Sequence, residues 1–258
     1  MPITALRETM AVRGVLKIGG SVVGQSPLPV WVQELQQRLE ANDQVLVVHG
    51  GGSLVSDELD RRGEPVEFVE GQRVTSDQAL AVVLAVLKGQ VNGRLVAFLA
   101  THDIPAVGVS GIDLGLLTSE TVSPRLGRVG QVTAVDPRLI EGIWQMKALP
   151  VVAPLAGDGA GGILNLNGDV AAGALAGAIG ADYLVFYTDS GGVREVASDP
   201  ASLRSGVSRQ QALSWISDGT VSKGMIPKLK AGFSALDAGV KRVVIGGYAP
   251  GQGTDLLA

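Results

Sequence analysis

At 258 residues and 46% apolar content, the chain can bury a sizeable core in one large α/β domain or two fused lobes, which excludes disorder. A net charge of -4 with scattered basic residues gives no footprint for nucleic acid, and the absence of cysteine removes disulfides and thiolate metal sites. His49 and His102 are a poor start for a zinc site, no segment approaches about 20 uninterrupted apolar residues, and the polar opening MPITALRETMAVRG lacks a signal-peptide core; the chain reads as a cytoplasmic, non-membrane protein handling small ligands.

The first predicted strand, Val15 to Ile18, runs into Lys17-Ile18-Gly19-Gly20-Ser21. Glycines here allow close backbone approach to phosphate and the lysine adds a mobile charge, although the spacing is not that of a Walker A loop. A solvated lysine before a turn is the plainer alternative. A helix over Pro29 to Ala41 precedes the strand Val45 to Val48, which ends at His49-Gly50-Gly51-Gly52-Ser53 before the helix Ser53 to Arg62. Three glycines at a positive helix end suit an anion, and a tight turn would also use them. His49 reads as a packing residue. Gly71-Gln72-Arg73-Val74-Thr75 sets a guanidinium, the natural fork for a carboxylate, before a long helix over Ser76 to Thr101.

Strands over Ala106 to Val109 and Val151 to Ala153 follow, then the run GDGAGG at Gly157 to Gly162, where a hairpin or lobe boundary is expected. Asn165-Leu166-Asn167-Gly168-Asp169 opens a small-residue helix over Val170 to Gly180, and Asp169 could serve only as its cap. The strand Tyr183 to Tyr187 leads to Thr188-Asp189-Ser190-Gly191-Gly192, with a turn as the plain reading. After a helix over Ser208 to Ser217, Lys223-Gly224-Met225-Ile226-Pro227-Lys228 starts a helix over Ile226 to Ala238, and a strand spans Val243 to Ile245. Lysine in a first helical turn opposes the macrodipole, so Lys228 needs an anionic partner. Strands separated by helices predict a mainly parallel sheet covered on both faces, with ligands beyond the strands' carboxyl ends.

Taken in order, HGGGSLVSDELDRRGEPVEFVEGQRVTSDQAL, VGVSGIDLGLL, LNLNGDVAAGALAGAIGAD and SKGMIPKLKAGFSALDAGVKRVVI resemble the amino-acid kinase family, in particular its acetylglutamate kinases, from about Val15 to Leu257. The resemblance implies an αβα sandwich with an acyl-amino-acid lobe over residues 1–154 and an ATP lobe over 155–258 on one continuous sheet. It implies ATP-dependent phosphorylation of the side-chain carboxylate of N-acetyl-L-glutamate, a step of arginine biosynthesis. Lys17, Asp169 and Lys228 would be catalytic, Asp169 orienting both lysines. Gly51, Gly52, Arg73 and Asn165 would bind substrate. Gly19, Gly20, Thr188, Asp189, Gly224 and Met225 would lie on the ATP side, with Mg2+ held mainly by phosphates and water and no protein metal site. The loop SGG after Asp189, where VPG is common, and the short closing segment GGYAPGQGTDLLA depart from the family on that side.

Two other readings share the fold. A kinase acting on aminoadipate or glutamate attached to an acidic carrier protein calls for a basic face, which this acidic chain does not suggest. A non-catalytic amino-acid sensor is opposed by intact Lys17, Asp169 and Lys228. The resemblance implies a homodimer; the 14 residues before Val15 are short for the extra N-terminal helix of the family's arginine-inhibited hexamers, so arginine is not expected to inhibit.

Overall fold

Apolar residues alternate along Arg13–Ile18, sending Val15 to one side and Leu16 with Ile18 to the other. That strand is the centre of the molecule. The computed structural model describes residues 11–19, 29–69, 71–196, 198–221, 224–247 and 252–258; Gly20, Ser21, Lys223 and the segment 1–10 lie outside them.

In chain order the elements are β1 (Arg13–Ile18), α1 (Val30–Glu40), β2 (Gln44–His49), α2 (Gly52–Arg61), β3 (Phe68–Val69), β4 (Gln72–Arg73), α3 (Asp77–Leu84), a π turn (Ala85–Val91), α4 (Asn92–Ala100), β5 (Ala106–Ser110), β6 (Leu117–Thr121), β7 (Gly130–Val135), α5 (Arg138–Gln145) and β8 (Leu149–Ala153). They continue with β9 (Leu155–Gly157), β10 (Ile163–Asn165), α6 (Gly168–Ala178), β11 (Tyr183–Phe186), β12 (Gly206–Ser208), α7 (Arg209–Ser217), α8 (Met225–Asp237), β13 (Arg242–Gly246) and β14 (Gly253–Leu257).

Eight strands form one continuous sheet in the order β12-β14-β13-β11-β1-β2-β8-β5. Every neighbouring pair is parallel except β13 with β14. The expected mainly parallel αβα sandwich is therefore present. On one face α5, α6, α7 and α8 bury Ile140, Leu175, Trp215 and Phe233 against Val15, Val48, Val152 and Phe186. On the other, α1 and α4 bury Trp31, Leu35, Leu95 and Leu99 against Leu16, Ile18, Val47 and Val185. A third cluster joins α2, α3 and the π turn through Leu59, Val83, Val86 and Leu87.

The helix expected over Ser76 to Thr101 runs from Asp77 to Ala100, with the π turn in its middle. It is long and apolar enough by length and composition to cross a membrane, but Val82, Val83, Val91, Leu95 and Leu99 are all buried in the protein core. Ser76 caps its start, accepting from the Ala79 N–H at 3.0 Å. At the Gly-rich run a hairpin does form: Gly157 pairs with Ile163 across β9 and β10, which join β6 and β7 in a four-stranded sheet.

Candidate active site

Register brings the functional loops to one edge. Lys17 pairs with Val48 on one side and Phe186 on the other, so the segments after β1, β2 and β11 emerge together at the carboxyl ends of the central strands. Lys17 shares its side of β1 with Val15, facing α6. Asn167 starts that helix, its side chain accepting from the Asp169 and Val170 N–H groups at 2.8 and 3.3 Å. The cap is thus Asn167, which leaves the Asp169 carboxylate for other partners.

Those partners are the two lysines. Lys17 Nζ lies 2.9 Å from Asp169 Oδ1 and Lys228 Nζ donates to Oδ2 at 3.0 Å, with all three side chains at least 85% buried. Lys228 reaches Asp169 because α6 and α8 approach closely: a Cβ on Gly173 would lie 3.0 Å from the Ala231 carbonyl oxygen, and one on Gly177 2.7 Å from Ala238 Cβ. The anionic partner required by the position of Lys228 in the first turn of α8 is therefore a carboxylate of the protein itself. Burial alone would raise the Asp169 pKa, but the Lys17 and Lys228 charges outweigh it and hold the carboxyl below its ordinary value. Burial lowers the Lys228 pKa, and Lys17 lowers it further against the opposing pull of Asp169. Two cations sharing one carboxylate leave a surplus positive charge in a largely desolvated place, an arrangement suited to an incoming anion.

A cavity of about 190 Å³ opens beside this triad, lined among others by Lys17, Gly51, Gly52, Arg73, Asn165 and Asp169. Arg73 is 7% exposed. Its Nη2 donates to Gly52 O and Ser56 Oγ, each at 2.8 Å, and its guanidinium lies 4.6 Å from the centre of the Phe68 ring. Burial lowers its pKa, with Asp60 opposing. Nη1 is buried without a hydrogen-bond partner among the described residues. Across the cavity Asn165 is tied by its amide to Thr75 Oγ1 at 3.2 Å, and Thr75 donates to Arg73 O at 2.9 Å, so one chain of bonds links both polar walls.

The other expected residues stand outside this cavity. Gly19 follows β1, while Thr188 and Asp189 form the turn after β11, closed by the Gly191 N–H on the Thr188 carbonyl at 3.1 Å. Gly224 is the residue before α8. Met225, 8% exposed, packs its side chain into the core of that face. Sequence reasoning passed over Phe68, Ser56, Thr75 and Asn167. Only Asn167 carried a signal, being an asparagine two residues before an acidic first-turn position. His49, expected to be a half-buried packing residue, is fully buried.

The match to the amino acid kinase family model covers residues 13–247. The chain is 41% identical over 250 residues to an acetylglutamate kinase of Methanopyrus kandleri, covering 93% of this chain and 98% of that one. An acetylglutamate kinase of Geobacillus kaustophilus is 41% identical over 233 residues, covering 90% and 88%. Among solved structures, a protein from Streptococcus mutans UA159 superposes with a TM-score of 0.86 at 28% identity, covering 95% of this chain and 98% of that one. Carbamate kinase from Giardia lamblia shares the fold at a TM-score of 0.61 and 14% identity, covering 96% and 99%. With a model matched over nearly its whole length and these relatives covered almost end to end, the chain belongs to the amino acid kinase family.

Proposed function

We propose that this protein transfers the terminal phosphoryl group of ATP to the side-chain carboxylate of N-acetyl-L-glutamate, forming the acyl phosphate used in arginine biosynthesis. The observation that carries the reading is the Lys17–Asp169–Lys228 triad with its surplus positive charge at the edge of a small cavity. A glutamate-type carboxylate ionises near pH 4.3, so the nucleophile needs no general base. Catalysis then requires positioning and charge neutralisation, because the charge of a loose phosphoryl-transfer transition state sits on peripheral oxygens. Lys17 and Lys228 meet that charge while Asp169 orients them, and the N–H groups of Gly51 and Gly52 add donors. Arg73 Nη1 and Asn165 hold the acidic substrate.

On the ATP side, Gly19, Thr188, Asp189, Gly224 and Met225 are assigned to the nucleotide through the family resemblance, as is Gly20, which lies outside the described residues. The family resemblance implies an ion carried mainly on the nucleotide phosphates and water. Magnesium in that place would neutralise phosphate charge. The division into an acyl-amino-acid lobe, 1–154, and an ATP lobe, 155–258, a homodimer and a cytoplasmic location go with this reading through the family resemblance.

The test is hydroxylamine trapping of the acyl phosphate with ATP and acetylglutamate, glutamate, aspartate or aminoadipate side by side. Hydroxamate should form fastest with acetylglutamate. Preference for an unacylated acid, or no product with any of the four, would overturn the reading.

A further inference from the structure

His49 and Asn92 are buried polar residues that the proposed chemistry leaves unused, 0% and 4% exposed. Asn92 is the first residue after the π turn, and its Nδ2 lies 3.0 Å from the Val151 carbonyl oxygen, 3.3 Å from that of Val109 and 3.1 Å from His49 Nε2. Carbonyl oxygens only accept, so Asn92 turns its NH2 group to this cluster, its two hydrogens shared among three acceptors; an N–H on His49 Nε2 would point at that donor group, so Nε2 is the bare nitrogen. Its amide oxygen sits over Gly108, where a Cβ would come within 2.0 Å of it. The ring proton of His49 is therefore on Nδ1, which donates to the Gly50 carbonyl oxygen at 2.8 Å.

That carbonyl shares a planar trans peptide with the Gly51 N–H, and the two point in opposite directions. Gly50 is held on its other side as well, its N–H donating to Ile18 O at 2.8 Å. Gly51 lines the cavity, and its N–H finds no protein acceptor among the described residues. Glycines on both sides of a peptide give it little intrinsic preference between its two faces, so some other group has to choose. We propose that His49 is a positioning residue: its Nδ1–H, dictated by Asn92, holds the Gly50 carbonyl and so aims the Gly51 N–H at the transferred phosphoryl group. The inference rests on the kinase reading for the ligand, while the chain of hydrogen bonds stands without it.

Two measurements decide it. Ring 15N spectra of the wild-type protein, assigned with His102→Gln, should show His49 as the neutral Nδ1–H tautomer at pH 7; an Nε2–H tautomer overturns the proposal. In kinetics, His49→Phe removes the donor, whereas His49→Asn keeps an N–H near the place of Nδ1. The Phe variant should lose about tenfold or more in turnover with the acetylglutamate KM within about threefold, and the Asn variant should recover most of that loss. Equal turnover in the two variants overturns the proposal. If the Phe variant does not fold, the tautomer and the Asn variant decide, and near wild-type turnover in the latter is the expected result. Failure of the kinase reading would look different: wild-type protein without acetylglutamate-dependent product, whatever the tautomer.

Discussion

Arg73 shows what burial does to a residue type usually left in water. Its fork is held by Gly52 O and Ser56 Oγ on one nitrogen, while Nη1 is buried without a partner among the described residues; in the proposed function that nitrogen meets the substrate. A lysine at this position supplies a charge without two separately aimed nitrogens. Arg73→Lys should raise the KM for acetylglutamate by about tenfold or more and leave the ATP KM within about twofold. Steady-state kinetics with each substrate varied checks this, and an unchanged acetylglutamate KM removes Arg73 from the substrate site. His49 carries a pH dependence of stability. Burial lowers its pKa from 6.5 to about 4, with Gly50 opposing and Lys17 adding to the fall. As pH drops through that window the unfolded chain takes up a proton that the native protein refuses, so the contribution present above pH 6.5 is lost towards pH 4, about 3 kcal/mol in all. Urea unfolding at pH 7 and pH 4.5 should show a smaller loss for His49→Asn than for wild type; equal losses would place the effect elsewhere. At this scale Lys17 and Asp169 stood out because one opens and the other closes a short motif beside a predicted element, but their shared role came from the family resemblance, a solvated lysine and a helix cap being the plain readings of the residues themselves. Arg73 was legible as a residue type only, since the groups that bury it, Ser56 and Phe68, lie on other elements.

Between elements, the contact of α6 with α8 decides where Lys228 points. Gly173 and Gly177 let the helices approach until the first turn of α8 reaches Asp169. A valine at position 173 would press its Cβ to 3.0 Å from the Ala231 carbonyl oxygen and add two methyl groups to that crowding. Gly173→Val should therefore cost about 1–3 kcal/mol of stability and at least about tenfold in turnover by moving Lys228. Thermal melts and kcat measured together test it, and lower stability with unchanged turnover would mean the contact does not position the lysine. The small-residue pattern of this helix was visible in the sequence, but its partner was not. The six predicted strands all exist because each is an apolar run of a buried parallel sheet. By contrast β6 and β7 carry partly exposed polar residues instead of an apolar run, α5 is a two-turn helix with Gly142 at its middle, and β14 pairs antiparallel at the far side of β13. None of these has a period long enough to separate it from a loop. The π turn is a tertiary feature, seen only through the inward placement of Asn92.

Across the whole molecule, one sheet gathers groups that lie far apart in the chain. Lys17 comes from the first strand, Asp169 from the helix after the β9–β10 hairpin and Lys228 from a helix near the end, yet both lysines reach within 3.0 Å of the Asp169 carboxylate. The order of strands made this convergence legible in outline, since parallel strands place their carboxyl ends on one edge. The link through a single carboxylate is a matter of side-chain geometry, which the sequence alone expresses only by its likeness to a family. The central claim is that these three residues act as one unit, and a double-mutant cycle of Asp169→Asn with Lys228→Met tests it most directly. After circular dichroism has shown all four proteins folded, kcat for acetylglutamate-dependent hydroxamate formation should fall about a hundredfold in each single variant. In the double variant it should fall far less than the product of the two, because the second change removes a partner already lost. Strict multiplicativity, or near-normal turnover in Lys228→Met, would contradict the account.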